Sequence, residues 1–417
     1  MHWRTFLSRL TRQIWFRASL FTAGALILVL AAAALGPSLP ADLKLGEDAV
    51  QNILQILATS MLAVTTFSLT AMITAFGSVA SQTTPRATQL LIADTTSQNA
   101  LSTFLGSFVF AIVGIVALST DRFTDQARSI LFLGTLAVIA LVAITLLRWI
   151  SHLTTFGRVP DIIDRVEQAA ADAARTYAAN PHLGGLAPAE IPRAAHPVAA
   201  RRAGVVTGLA MKDLEEFAVE RDATVHVVTV PGAEVGRGEP LAYVVRGRAL
   251  DDADQGAACR AFIVESHRTF EQDPRLGLIA LAEIASRALS PAVNDPGTAI
   301  EVLNAIDRVV SEMLSNGRNP DTDEPNYPHV HVPAPALADL LEDAFRPIAR
   351  DGAAHIEVGL RVQRVIGHLM RGADAPTREL LTQASERAEA RAAAVLTDPE
   401  DQRLLTAAAA AARATEA

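Results

Sequence analysis

Between Arg260 and Asp295 the chain gathers side chains that could do chemistry: Arg260, Glu265, His267, Arg268, Glu271, Asp273, Asn294 and Asp295. Guanidinium groups there would hold an anionic ligand, and paired carboxylates would move protons. His267 and Glu271, four residues apart, would put two metal ligands on one helix face, one short of a usable set. His329 and His331 in HVHVP alternate as on a strand, so no metal is expected. A membrane-tethered enzyme would need one pocket uniting Arg268, Asp273 and Asp295. GxSxG, Walker A, HExxH and a GxGxxG after a strand are all absent. Much of the stretch also fits a structural role. SPAVNDPG separates two helical apolar repeats, Leu276 to Leu289 and Ala299 to Leu314, and both Ser290-Pro291 and Asp295-Pro296 fit a cap followed by proline. The expectation is a helix-turn-helix joint held by Arg and Asp, and no enzyme.

A second set lies in TSMLAVTTFSLTAMITAFG, residues 59–77. At 100° per residue Thr59, Ala63, Thr66, Thr70, Thr74 and Gly77 share a narrow arc, which Gln55, Asn52 and Asp48 extend on one side and Ser81 on the other. Two roles fit a small, polar stripe on an apolar helix. Small residues let helices approach, and their hydroxyls bond to backbone or to a neighbouring helix. Alternatively the stripe faces water, lining a path that several copies of the chain would complete.

These residues need elements to position them. About 20 apolar residues cross a bilayer, and four runs are long enough: about 18–36, 53–77, 101–119 and 130–150. The first is longer than a signal-peptide core and is expected to be retained. Arg4, Arg9, Arg12 and Arg17 precede it, and Arg148, Arg158 and Arg165 accompany the end of the fourth, while the first loop carries Asp42, Glu47 and Asp48 against Lys44. Basic flanks at both ends put both termini in the cytoplasm, with the spans in the inner membrane. Trp3, Phe6, Leu7, Leu10 and Ile14 would suit an amphipathic helix in the interface, or a plain extension of the first span. Thr103, Ser107, Ala111 and Gly114 make a packing face on the third span. No charge falls inside the expected bilayer portion, so no proton relay is expected.

Past residue 155 the chain has ordinary globular character. PDIIDRVEQAAADAARTYAAN continues as a helix, and the proline-bearing 181–202 forms a linker, so that 1–155 is the transmembrane domain and 156–202 a helix and linker. A small β-module follows at 203–250, with strands at Val205-Val206, Thr224 to Val230 and Leu241 to Val245 and a helix from Asp213 to Arg221. Its PGAEVGRGEPL resembles the turn of lipoyl and biotinyl barrel-sandwich folds. Ala210-Met211-Lys212 precedes the strands and is followed by Asp213, so no covalent cofactor is expected. A helical cytoplasmic domain spans 251–398, with a polar loop at 316–335 and helices near 336–350, 352–372 and 376–396. The Ala-rich 399–417 is expected to be a frayed helix or disordered. The fold class is an integral membrane α-helical protein with four transmembrane helices and a cytoplasmic α+β region.

The net charge is −9, and Lys44 and Lys212 are the only lysines. Without a basic domain, nucleic acid is not expected as a partner. The single cysteine, Cys259, fits a reducing compartment.

With four apolar runs ahead of RTFEQD and ALSPAVNDPGTA, the chain resembles the bacterial predicted-membrane-protein family known as domain of unknown function 2254, from the second span to about residue 370. The resemblance implies architecture rather than an activity. It carries over Arg268, Thr269, Gln272, Asp273, Ser290, Pro291, Asn294, Asp295, Pro296 and Thr298. Two functions follow as expectations. One is a non-enzymatic, homo-oligomeric channel or transporter-like protein in contact with membrane lipid, the stripe lining its path and the cytoplasmic domain assembling or gating it. The alternative is a membrane-anchored sensor or scaffold that binds a ligand or protein near Arg268 and Asn294.

Overall fold

A computed structural model describes residues 47–119, 125–315 and 325–414, with scattered positions between 19 and 31. Most of the expected first span, the Trp3–Ile14 segment and the core of the 316–335 loop therefore lie outside the described residues. The chain divides into two compact units, one drawn from residues 1–81 and 88–161, the other from 82–87 and 162–417.

Three helices of the first unit are long and apolar enough to cross a membrane, over Ala49–Ser81, Thr95–Leu118 and Ala127–Leu153. Among the described residues the count is thus three, not the expected four. They belong to α1 (Glu47–Gln82), α3 (Thr95–Leu118) and α4 (Asp125–Leu153), with a short α2 (Thr88–Ile92) between the first two. The helix expected at 101–119 starts six residues earlier because Asp94 caps it, accepting from the Ser97 amide. Its small face is buried, and Gly114 lets Leu54 and Leu131 close in where a Cβ would stand 3.0 Å from a Leu54 methyl.

The second unit opens with α5 (Val159–Ala179), whose Ile162, Ile163, Val166, Ala170, Ala173 and Ala174 form a buried stripe at helical spacing. The sheet region then takes β1 (His196–Ala199), β2 (Gly204–Leu209), α6 (Met211–Glu220), β3 (Thr224–Val227), β4 (Glu234–Val235), β5 (Pro240–Val245), α7 (Asp252–Arg260) and β6 (Phe262–Glu265). After α8 (Pro274–Ala288) and α9 (Pro296–Ser315), the chain returns to it as β7 (Val330–His331). One sheet runs β1-β5-β3-β7 and the other β4-β2-β6; only β7 lies parallel to its neighbour. The module is therefore assembled from 196–265 plus a remote strand, and the expected linker contributes its edge. Gly232 (φ 92°) and Gly238 (φ 88°) make the two turns of PGAEVGRGEPL, and Val235 between them is buried.

Four helices finish the chain: α10 (Leu337–Asp351), α11 (Ile356–Met370), α12 (Ala375–Ala393) and α13 (Pro399–Arg413). The last corrects the expected tail. Asp398 caps α13, and Leu405, Ala409 and Ala412 are buried on one face, Ala412 against Gly367 of α11.

Where β3 meets β7, His226 and His331 stack with centroids 4.6 Å apart and planes 6° from parallel. His226 is buried, and burial first, then the neighbouring His331, holds its imidazole below the usual 6.5. The unfolded chain therefore takes up this proton first, so the contribution is complete above about pH 6.5 and lost as pH falls through the native value. Urea midpoints between pH 8 and 5 are expected to fall on acidification, and to fall less steeply in His226→Leu.

Candidate functional site

Arg268, Glu271 and Asp273 precede α8, and Asn294 and Asp295 follow it. Asp273 is its N-cap, accepting from the Arg275 and Leu276 amides with Pro274 at the first helical position. Arg268 closes on the same carboxylate with two nitrogens, Nε to Oδ2 at 2.7 Å and Nη2 to Oδ1 at 2.9 Å, whereas Arg260 ends α7 and Glu265 ends β6. Gly232 leaves room for this: a Cβ there would stand 2.6 Å from an Asp273 oxygen. Gln272 turns the other way, its Oε1 accepting from the Leu209 amide at 2.8 Å at the end of β2. RTFEQD thus fastens the sheet to the start of α8. His267 and Glu271 lie in irregular chain between β6 and α8, not on the helix that would have aligned them as ligands. Among the described residues no group of three potential metal ligands occurs.

At the far end Ser290-Pro291 starts a turn instead of a helix, because the Ser290 carbonyl accepts from the Val293 and Asn294 amides. Asn294 takes φ 51°, which asparagine tolerates better than most residues. Asp295 then caps α9 through the Thr298 amide (3.1 Å) and hydroxyl (2.6 Å), and those bonds hold its carboxyl below the usual carboxylate range. The 15 residues of α8 separate the two ends by about 22 Å. Arg268 and Asp273 meet each other; Asn294 and Asp295 do not join them. A recess of about 30 Å³ beside Tyr177, Val230 and Gln272 has room for roughly one water. A wider groove between α8 and α10 is lined by Arg275, Glu283, Asp343 and Arg346, with Arg275 bound to Asp343 and Arg346 to Glu342. Neither cavity is lined by Arg268, Asn294 or Asp295.

In the membrane unit Thr59, Ala63, Thr66, Thr70, Thr74 and Gly77 are all exposed, as are Gln55 and Ser81. Leu54, Leu57, Met61, Ser68, Met72 and Val79 on the opposite side of α1 are buried. The stripe is thus not the face by which α1 packs on the described helices. Each threonine hydroxyl donates to the carbonyl four residues back, for example Thr70 to Thr66 at 3.0 Å and Thr74 to Thr70 at 2.9 Å. Exposed Leu62, Leu69 and Ile73 flank the stripe on one side, Ile56 and Phe67 on the other.

One ionisable cluster escaped the sequence reading. His152 near the end of α4 faces Asp94, Nε2 to Oδ2 at 3.0 Å, with Ser97 Oγ 3.4 Å from the same nitrogen. The pair is mostly buried inside the membrane unit, with Asp94 just ahead of the Thr95–Leu118 span and His152 at the end of Ala127–Leu153. Beginning the third span at Leu101 had left Asp94 and Ser97 in a loop. The signal was present in DTTSQ, an aspartate ahead of a polar first turn.

The family model described as "Predicted membrane protein (DUF2254)" matches residues 11–368. The chain belongs to this family. Similar members are Uncharacterized protein MT1328 of Mycobacterium tuberculosis (strain CDC 1551 / Oshkosh) and Uncharacterized protein Mb1321c of Mycobacterium bovis (strain ATCC BAA-935 / AF2122/97). Each is 26% identical over 347 residues, covering 81% of this chain. The chain spans 66% of the length of these curated relatives. No solved structure matches it. As a DUF2254 membrane protein, the chain shares an architecture whose activity the family description leaves open.

Proposed function

We propose that this DUF2254 protein is an oligomeric channel or transporter-like protein of the bacterial inner membrane, with both termini cytoplasmic. Copies of α1 surround a shared path lined by Thr59, Ala63, Thr66, Thr70, Thr74 and Gly77, and the second unit assembles or gates the ring. One observation supports this reading: the polar stripe stands opposite the face with which α1 packs on its own unit. Back-bonded hydroxyls present oxygen lone pairs and methyl groups, a surface suited to weak contacts with a passing hydrated solute. The apolar flanks Leu62, Leu69, Ile73, Ile56 and Phe67 would meet neighbouring copies or lipid.

Thr70→Cys in a Cys259→Ser background tests the reading. A membrane-impermeant thiol reagent is expected to label Cys at 70 in proteoliposomes, and a short bifunctional reagent to cross-link copies through it. Leu at both 66 and 70 is expected to abolish ion leak while leaving the thermal midpoint unchanged. A monomer that gives liposomes no leak, or labelling only by lipid-soluble reagents, overturns the proposal.

A further inference from the structure

Three groups close on the His152 ring. Asp94 Oδ2 lies against Nε2, Trp149 packs beside the ring at 5.7 Å between centroids, and Phe156 packs at 5.0 Å. A carboxylate attracts a cation, and the two aromatic rings lie tilted to the imidazole by 37° and 47°. The surroundings hold the group in place. The Trp149 indole donates to buried Ser68 at 2.9 Å, Phe156 packs on Phe76, and the Ser97 amide fixes Asp94 Oδ2 at 2.7 Å. From Asp94 a line of polar residues runs along α3 at one-turn spacing through Gln98 and Ser102, both more than nine-tenths buried. Among the described residues Gln98 Oε1 and Ser102 Oγ have no hydrogen-bond partner. Other ionisable groups are sparse: α1 carries none between Ala49 and Ser81 and α3 none at all. Beyond His152, α4 and the turn after it bring exposed Arg148 and Arg158, and Asp161, which accepts from the Gly157 amide.

We propose that the Asp94–His152 pair is a proton-binding site of the membrane unit, taking its proton on the His152 imidazole with Asp94 as counter-ion. Buried ionisable pairs in membrane proteins cost free energy and mark proton or ion sites. The cap at Asp94 alone does not require His152, because asparagine caps a helix as well as aspartate does. This inference is independent of the pore reading: a proton site can exist with or without a path along α1.

Trp149 supplies the readout, since a protonated imidazole beside an indole quenches its fluorescence. Trp3 and Trp15 are the other tryptophans and are replaced by Phe in the full-length protein. In nanodiscs, fluorescence is expected to drop as pH falls from 8 to 5. His152→Gln, which can still bond Asp94, is expected to lose that drop. Asp94→Asn, which keeps the cap, is expected to move it to lower pH. A flat parent profile, or one unchanged in both variants, overturns the proposal whatever the liposome flux shows.

Discussion

Asp273→Ala is expected to destabilise the second unit by about 4 kcal/mol. Removing one partner of a buried ion pair costs about 3–5 kcal/mol because the other charge is left uncompensated. Arg268 is about a quarter exposed, which places the loss at the low end of that range. The lost cap on the Arg275 and Leu276 amides adds about 1 kcal/mol. Thermal melting of the full-length protein, with limited proteolysis to locate the loosened segment, measures the effect. Cleavage is expected between β6 and α8. Pairing Asp273→Asn with Arg268→Met is expected to recover most of the loss, since asparagine keeps the cap and no charge is stranded. A double variant no better than Asp273→Ala would show that the ion pair contributes little.

The second large effect is steric. Gly277 on α8 faces α5 so closely that a Cβ there would stand 2.8 Å from Ala170 Cα, a backbone atom that cannot swing aside. Leucine at 277 must push the two helices apart, at a cost of about 3 kcal/mol or more, the upper end of overpacking penalties. Gly277→Ala is expected to cost less, and Ala170→Gly to restore part of that smaller loss. Thermal midpoints of the four proteins form a double-mutant cycle that isolates the contact. Additive midpoints would show that the helices do not touch through these two residues.

Legibility followed the range of the interaction. Apolar runs and their 3.6-residue period placed the three described spans and most helices of the second unit. Glycines at positive φ placed the turns of PGAEVGRGEPL. Local capping logic identified Asp295-Pro296 but misplaced a second start at Ser290-Pro291, because a turn closed by the Ser290 carbonyl has the same short signature. Long-range pairings left no local mark. An Arg/Asp cluster was expected at the SPAVNDPG joint, but Arg268 pairs with Asp273 at the opposite end of α8. Asp94 with His152, and Gln272 with Leu209, join segments about 60 residues apart. The same limit hid β1 in a proline-bearing linker and β7 in a polar loop, since two to four residues carry too little alternation to stand out. The Ala-rich α13 has only Leu404 and Leu405 as bulky apolar residues, so its docking on Gly367 could not be seen in composition.

The return of residues 330–331 to the side of β3 also sets a schedule for biogenesis. Until that strand emerges from the ribosome, the backbone of β3 is an open sheet edge, and such edges template pairing with other chains. Roughly 100 residues separate the two strands, so at about 5–20 residues per second the edge waits on the order of 5–20 s. During that interval the half-built sheet is open to mispairing with other chains.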